Sequence, residues 1–366
     1  MKEEKQIMCR DSGLPTRWTG GIFAPKSDHM EEQMNITAFF SLLGGLALFL
    51  YGMHIMSQGL ENAAGSRLQS ILEKLTENRL VGVAAGALIT ALIQSSSATT
   101  VMVVGFVNSG MMRLEQAVWI IMGANIGTTI TGQLIALNIG AVAPVIAFAG
   151  VVVVLFAKKA ASRYIGSIFG GLGILFIGMN MMSDALMPLK DSPAFIQWMT
   201  KFENPLLGIL IGTVFTAVIQ SSSASVGVLQ ALAVTGAVPF SSAVYVLFGQ
   251  NIGTCITAVL ASVGANRNAK RTTIIHLSFN IIGTCLFTAV CMLTPLAELV
   301  GSFTPDRPAA QIANMHTLFN IVTTLLLLPA GGLLAKFAKM VLPDKARSHT
   351  GTDGRGIQGL LHTRDG

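Results

Sequence analysis

Charged residues are absent from most of the length of this chain. In the longest such stretch, no Asp, Glu, Lys or Arg occurs between Glu203 and Arg267. Similar stretches lie between Glu32 and Glu61, Arg79 and Arg113, Glu115 and Lys158, Arg163 and Asp184, Arg271 and Glu298, and Arg307 and Lys336. A membrane-spanning helix needs about 20 apolar residues, and only 11% of the sequence is charged, against about 25% in soluble domains. The sequence therefore predicts an all-α polytopic membrane protein.

The basic residues lie in short connections and near the two ends of the chain. Membrane proteins commonly carry Lys and Arg in the short loops on their cytoplasmic side. The net charge of +6 therefore does not indicate a nucleic-acid partner. Residues 1–34 are polar, and we expect a disordered or mis-called N-terminal extension. Residues 343–366 are rich in glycine and charge, and we expect a disordered cytoplasmic tail.

The chain repeats itself without a gap at a spacing of 126 residues. Gly45–Ser57 matches Gly171–Ser183 at 6 of 13 positions, and Gly82–Thr100 matches Gly208–Val226 at 10 of 19. The segments GANIGTTIT and GQNIGTCIT, which begin at the two positions 123 and 249, match at 7 of 9. The identities fall on Gln, Ser, Asn, Thr and Gly, so low complexity does not explain them, and the sequence indicates an internal duplication.

The connections between the apolar segments test how the QSSS parts of the repeat enter the membrane, because Lys and Arg concentrate on the cytoplasmic side. If both QSSS segments cross the membrane fully, the basic residues of the connecting loops divide eight to five between the two sides. If both form re-entrant helical hairpins, the division is ten to three, which favours hairpins. Three full crossings then separate equivalent positions of the two repeats. Because this number is odd, the second repeat is inverted relative to the first. The nine apolar segments lie near 36–57, 81–107, 116–137, 141–157, 165–187, 205–235, 241–262, 273–293 and 313–335.

This topology divides the body of the chain into three parts. We expect a first transport repeat at 35–160, a second, inverted repeat at 161–293 and a final transmembrane helix at 294–342, with the C-terminus in the cytoplasm. Inverted repeats with interrupted helices are the architecture of many secondary transporters, whose substrate site lies near the membrane midplane.

Two runs of polar side chains interrupt the apolar segments, Gln94-Ser95-Ser96-Ser97 and Gln220-Ser221-Ser222-Ser223. Irregular polar chain is tolerated at membrane depth only inside protein or beside a water-filled cavity. A serine that begins the second arm of a broken helix can cap it, and the free N–H groups of that arm then face an anion. Thr99 and Ser225 add a hydroxyl one turn later. Close helix packing is the competing explanation for these serines, but the occurrence of the QSSS run at the same position in both repeats favours a binding site.

Each half also contains the motif GxNIGT, which supplies an amide oxygen, a hydroxyl and glycines that can free main-chain carbonyls. Transporters bind sodium with oxygen ligands of this kind, including unwound carbonyls. Helix contact through the glycines is the competing explanation, whereas the recurrence of Asn and Thr favours ion binding. We expect the sodium ligands among Ser97, Asn125, Thr128, Ser223, Asn251 and Thr254.

The sequence does not support serine hydrolase activity, although serine and histidine are both present. The sequence has no G-x-S-x-G elbow, and no acid to orient a histidine lies within the apolar segments that contain histidines. We therefore predict that the chain is not an enzyme. Two HxxFN motifs lie in the last two apolar segments, His276-Leu277-Ser278-Phe279-Asn280 and His316-Thr317-Leu318-Phe319-Asn320. In each, the histidine and asparagine face the same way and could hydrogen-bond to the hairpins, but a satisfied structural pair is the favoured interpretation.

The motifs resemble those of the type II sodium-dependent phosphate cotransporter family, in particular its bacterial members. The resemblance covers about residues 36–335 and rests on QSSSATT at Gln94–Thr100, QSSSAS at Gln220–Ser225, HLSFN at His276–Asn280 and the two GxNIGT motifs. It implies sodium-driven uptake of inorganic phosphate at a site formed by the two QSSS hairpins. By matching position it assigns Gln94, Ser95, Ser96, Ser97, Gln220, Ser221, Ser222 and Ser223 to that site, with Asn125, Thr128, Asn251 and Thr254 beside them.

These observations predict a sodium:phosphate symporter of the bacterial cell membrane, with phosphate, sodium and membrane lipid as its partners. No cofactor is expected besides sodium as the coupling ion, and homo-oligomer formation is left open. Two alternatives stay open. The chain could carry another small oxyanion or carboxylate with sodium, or it could sense phosphate in the membrane without net transport.

Overall fold

The computed structural model describes residues 27–64, 78–137, 139–188 and 204–344, and every regular element in these ranges is a helix. Most of the polar extension 1–34 and of the tail 343–366 lies outside the described residues. The helices are α1 Ser27–Ala64, α2 Arg79–Ile93, α3 Ser96–Asn108, α4 Leu114–Ile135, α5 Ala143–Phe156, α6 Ala160–Leu186, α7 Pro205–Ile219, α8 Ser222–Val234, α9 Phe240–Gly253, α10 Ile256–Ala261, α11 Arg267–Leu293, α12 Leu296–Ser302, α13 Pro308–Leu327 and α14 Gly331–Val341.

Several of these helices are long and apolar enough to cross a membrane. Five described segments meet this condition: Ile36–Ala64, Leu114–Ile135, Ala160–Leu186, Phe240–Ala261 and Arg267–Leu293. The pair α13 and α14 adds a sixth if its two helices, bent by 83° relative to each other, are counted together. The chain is therefore a multi-pass helical membrane protein, as predicted.

The segment 294–342, where one final helix was expected, contains three helices. The short α12 precedes α13, and α13 ends at Leu327, two residues before Pro329. Proline has no N–H to continue the helical hydrogen bonds, and its ring clashes with the preceding turn, which accounts for the end of α13. The chain then turns through 83° into α14.

Helices α1 and α6, which begin the two repeats, pack against each other in antiparallel directions. A Cβ atom on Gly52 would lie 2.6 Å from the carbonyl oxygen of Gly171, and one on Gly45 would lie 2.9 Å from that of Gly178. Gly45 is the repeat equivalent of Gly171, and Gly52 is the equivalent of Gly178. Each repeat therefore offers the same two glycines to the other, which is the exchange of contacts that a two-fold axis produces.

Within each repeat, a GxNIGT helix packs against the helix that leads into QSSS. In the first repeat, a Cβ atom on Gly123 of α4 would collide with the carbonyl oxygen of Val83 on α2. In the second, a Cβ atom on Gly249 of α9 would collide with that of Ile209 on α7. These close backbone contacts hold each QSSS segment against its own GxNIGT helix.

Helix α13 packs against α9 and α11 of the second repeat. The rings of Phe248, Phe287 and Phe319 cluster there, with centroids 5.0 to 5.8 Å apart. All three side chains are buried, and aromatic contacts at these separations add to the burial of apolar area. The cluster fixes α13, and with it His316, beside the second GxNIGT motif.

Candidate functional site

Both QSSS segments break their helices at the glutamine. Gln94 and Gln220 have φ angles of 58° and 59°, a left-handed conformation in which the N–H of each bonds to the carbonyl four residues earlier. A residue other than glycine is uncommon at positive φ, and such strain clusters at functional sites. The same strained break therefore occurs at equivalent points of the two repeats.

The next serine caps the second arm in each repeat, as the sequence predicted. Ser95 is extended and its hydroxyl accepts a hydrogen bond from Ala98 N at 3.1 Å. Ser221 accepts one from Ala224 N at 3.2 Å. Because the caps satisfy later N–H groups, the first N–H groups of α3 and α8 stay available for another partner. Within the described part of the chain, no hydrogen-bond partner is found for the N–H groups of Ser96, Ser97, Ser222 and Ser223.

The chain folds back on itself at the first break. The hydroxyl of Thr90 donates to that of Thr99 at 2.9 Å, although nine residues of continuous helix would separate them by about 13.5 Å. Thr99 in turn donates to the carbonyl of Ser95. In the second repeat the equivalent hydroxyls, of Thr216 and Ser225, are fully buried and have no hydrogen-bond partner among the described residues.

The second arms of the two broken helices meet each other. The hydroxyl oxygens of Ser96 and Ser222, which are repeat equivalents, lie 3.4 Å apart. Both serines are buried. Equivalent atoms come together only near a two-fold axis, so the N-termini of α3 and α8 approach that axis from both repeats. Each carries the positive end of a helix dipole.

A chain of hydroxyls links the first QSSS segment to the second. Thr131 donates to the side-chain oxygen of Gln94 at 2.8 Å, and Ser223 donates to Thr131 at 3.3 Å. Thr131 was not singled out from the sequence, although it closes the repeated GANIGTTIT segment. Gln94 is buried by this contact, whereas its equivalent Gln220 is exposed.

In the first GxNIGT motif, the prediction that glycines would free main-chain carbonyls is wrong. Helix α4 runs without interruption through Gly123 and Thr128, because its glycines serve close contact with α2 instead. Asn125 donates its amide to the carbonyl of Ile121, and Thr128 donates its hydroxyl to that of Ala124. Both side chains are buried, and their remaining oxygen lone pairs point away from these bonds.

The second GxNIGT motif does interrupt its helix, because α9 ends at Gly253 and α10 begins at Ile256. Thr254 donates its hydroxyl to the carbonyl of Gln250 at 2.9 Å. The amide of Gln250 donates to the carbonyl of Ser225 at 3.0 Å and thus joins this motif to the second QSSS arm. Gln250 replaces Ala124 of the first repeat, a difference visible in the sequence but not used in the prediction.

The two HxxFN motifs differ in their contacts. His316 Nε2 lies 3.2 Å from the side-chain oxygen of Asn251, which ties α13 to the second GxNIGT motif. In each motif the asparagine bonds to the main chain of the histidine rather than to its ring. Both ring nitrogens of His276 are buried without a partner among the described residues. The expected pairing of side chains therefore does not occur.

The candidate site contains uncharged polar groups. No group of three or more His, Cys, Asp or Glu that could hold a metal ion occurs in the described ranges. The described candidates are hydroxyl, amide and main-chain groups, which suit a monovalent cation and an anion bound by N–H and O–H donors.

The chain is similar in sequence to several known proteins. The chain is 34% identical over 303 residues to the Bacillus subtilis protein YqeW, and the aligned region covers 82% of this chain and 97% of that protein. It is 29% identical over 310 residues to the Escherichia coli "Putative inorganic phosphate export protein YjbB", 84% of this chain but only 56% of that protein. The human "Sodium-dependent phosphate transport protein 2B" is 35% identical over 133 residues, or 34% of this chain and 19% of that protein. No solved structure is significantly similar.

The similarity extends over both repeats. The family model described as Na+/Pi-cotransporter matches residues 48–184 and 189–304. These ranges contain both QSSS breaks, both serine caps and both GxNIGT helices. They leave out both α13 and the bent helix α14 that follows it. The chain, with its two halves built around the same broken helix, belongs to the Na+/Pi-cotransporter family.

Proposed function

We propose that the protein couples the transport of inorganic phosphate to sodium by alternating access across the bacterial cell membrane. The observation that carries this proposal is the meeting of the two QSSS arms, where the hydroxyls of Ser96 and Ser222 lie 3.4 Å apart. The names of the Escherichia coli and human relatives support phosphate as the substrate, and the human name supports sodium as the coupling ion.

Phosphate binds where the N-termini of α3 and α8 converge. The donors are the free N–H groups at the starts of these helices and the hydroxyls of Ser96 and Ser222, since helix N-termini are favourable positions for phosphate. No Lys or Arg lies between Arg79 and Arg113 or between Glu203 and Arg267. The charge of the anion is therefore balanced by the helix dipoles and by sodium that binds with it.

Sodium binds to oxygens of the GxNIGT motifs and the neighbouring serines. Thr128 and Thr254 donate their protons to carbonyls of their own helices, so their oxygens keep lone pairs for a cation. Asn125 is the better amide candidate, because the oxygen of Asn251 already contacts His316. Ser97 and Ser223 complete the candidate set, and Thr99 and Ser225 support the QSSS arms from one turn further on.

The two repeats have opposite orientations in the membrane, with QSSS segments that form re-entrant hairpins and a C-terminus in the cytoplasm. The antiparallel packing of α1 against α6 supports the inversion, because these helices begin equivalent repeats. The contact between Thr90 and Thr99 supports the hairpin in the first repeat. A site on the axis between inverted repeats is open to either side as one repeat moves against the other.

Uptake of labelled phosphate into proteoliposomes tests the proposal. We expect accumulation under an inward sodium gradient and none under an equal choline gradient, because only sodium can occupy the proposed ion site and pass the free energy of its gradient to phosphate. Ser96→Ala and Ser222→Ala should each lower sodium-dependent uptake at least tenfold by removing a donor at the axis. The matched control is Ser109→Ala, since the hydroxyl of the exposed Ser109 donates to the carbonyl of Phe106 at the far end of α3.

The same vesicles separate the proposal from its competitors. Uptake that is equal in sodium and choline contradicts sodium coupling. Stronger competition by sulfate or a dicarboxylate than by arsenate contradicts phosphate as the substrate, and sodium-dependent binding without accumulation marks a sensor. Efflux from phosphate-loaded vesicles, with sodium inside or outside, gives the direction in which the gradient drives the substrate.

A further inference from the structure

A groove lies between α11, the end of α13 and the bent helix α14, away from the QSSS segments. Its volume is about 640 Å³. Its lining is apolar apart from Ser278, and it includes Ile274 and Ile282 of α11, Leu327 of α13, and Leu333 and Phe337 of α14. The groove exists because α14 turns away from α13 by 83° instead of continuing it.

The groove has the length and position of a lipid chain in one leaflet. From Ile274 to Ile282 it follows α11 for about 12 Å, and one leaflet contributes about 15 Å of hydrocarbon. Helix α14 is bent by 83° from the 20-residue apolar helix α13, and a helix nearly perpendicular to one that crosses the membrane lies along the membrane surface. Helix α14 also has the two faces of an interfacial helix, with Leu334 buried and Lys336 exposed.

Two lysines without an ion-pair partner among the described residues lie one helical turn from residues that line this groove, and we take these positions as its mouth. Lys270 precedes Ile274 by one turn of α11, and Lys336 follows Leu333 by one turn of α14. Both lysines are exposed, and no ion pair with an acidic side chain is found for either one within the described ranges. The neighbouring cations are engaged: Arg271 pairs with Asp344 at 2.8 Å, and Lys339 pairs with Glu115 at 3.0 Å.

We propose that this groove is a binding site for an anionic diacyl phospholipid, with one acyl chain between α11 and α14 and the phosphate of the headgroup at Lys270 and Lys336. The charge at the mouth distinguishes this occupant from a neutral lipid, because basic residues between helices at the membrane surface select anionic headgroups. The charge also opposes a second copy of the chain, which would bring the same lysines together.

Native mass spectrometry of the full-length protein in detergent tests the site. After removal of bound lipid, the protein is titrated with phosphatidylglycerol or with phosphatidylcholine of the same acyl chains. We expect tighter binding of phosphatidylglycerol, and a loss of about 30-fold for the double variant Lys270→Gln/Lys336→Gln, since each lysine near a lipid surface contributes about fivefold. The matched control is Lys158→Gln/Lys159→Gln, which removes two exposed lysines from the connection between α5 and α6.

A second variant tests the acyl-chain part of the site. Ser278→Phe fills the groove without changing any charge and should weaken the binding of both lipids. A cooperative thermal unfolding transition like that of the wild type establishes that each variant is folded. Equal binding of both lipids, or equal losses in the two lysine variants, overturns the anionic site. A dimeric mass that only Ser278→Phe abolishes assigns the groove to a second copy instead.

Discussion

At the scale of single residues, two glutamines with the same backbone have different surroundings. Gln94 and Gln220 share a left-handed φ near 58°, and each is followed by a capping serine. Only Gln94 is buried and bonded to Thr131. Thr257, the repeat equivalent of Thr131, donates to the carbonyl of Thr254 within its own segment. The two halves therefore share a scaffold but do not bind through identical contacts.

This difference predicts unequal effects of two matched substitutions. Thr131→Val removes the hydroxyl that joins Gln94 to Ser223, and a lost buried hydrogen bond is worth about 1 kcal/mol, or more where a partner is left unsatisfied. We expect the KM for phosphate to rise about tenfold. Thr257→Val, which removes only a bond to a nearby carbonyl, should change KM less than twofold. Kinetics of sodium-dependent uptake measure both values, and a larger effect at Thr257 would contradict the linking role of Thr131.

The sequence could predict the residues of the candidate site better than their contacts. A serine after a break is a common cap, so the roles of Ser95 and Ser221 followed from position alone. Thr131 was missed because its partners lie 37 and 92 residues away in the chain. The uninterrupted course of α4 was missed because the same glycines suit a freed carbonyl or a close helix contact, and only the packing of α2 decides between them.

At the scale of elements, glycines control how closely the helices approach. A Cβ atom on Gly52 would lie 2.6 Å from the carbonyl of Gly171 on α6, whereas a Cβ atom on Gly105 of α3 would have no neighbour within 4 Å. The helical spans were predictable from apolar length. The bend between α13 and α14 was missed, although Pro329 marks it, because apolar residues continue beyond the proline and suggested one continuous segment.

Substitution of these two glycines by alanine should change the stability of the protein in opposite directions. Gly52→Ala should destabilise the protein by about 1–3 kcal/mol, because the added methyl group forces α1 and α6 apart. Gly105→Ala should stabilise it by about 0.5–1 kcal/mol, because alanine has the higher helix propensity and meets no neighbour. Thermal unfolding in detergent measures both changes. Stabilisation by Gly52→Ala would contradict the close packing of α1 on α6.

At the scale of the whole molecule, contacts between equivalent residues define one axis. Gly45 contacts Gly178 while Gly52 contacts Gly171, and the hydroxyls of the equivalents Ser96 and Ser222 meet. Because α1 and α6 are equivalent and antiparallel, this axis runs across them rather than along them. In the inverted arrangement that we propose, this axis lies in the plane of the membrane and exchanges its two sides. The arrangement thus relates the proposed phosphate site symmetrically to both compartments.

The orientation of equivalent positions provides a direct test. Arg113 and Pro239 are repeat equivalents, both exposed and both at the N-caps of their GxNIGT helices. In a background without native cysteines, we expect a membrane-impermeant maleimide applied to intact spheroplasts to label Pro239→Cys and not Arg113→Cys. Permeabilised spheroplasts, where both should react, provide the control. Labelling of both from outside would place equivalent positions on one side, and the two repeats would then be related by an axis along the membrane normal.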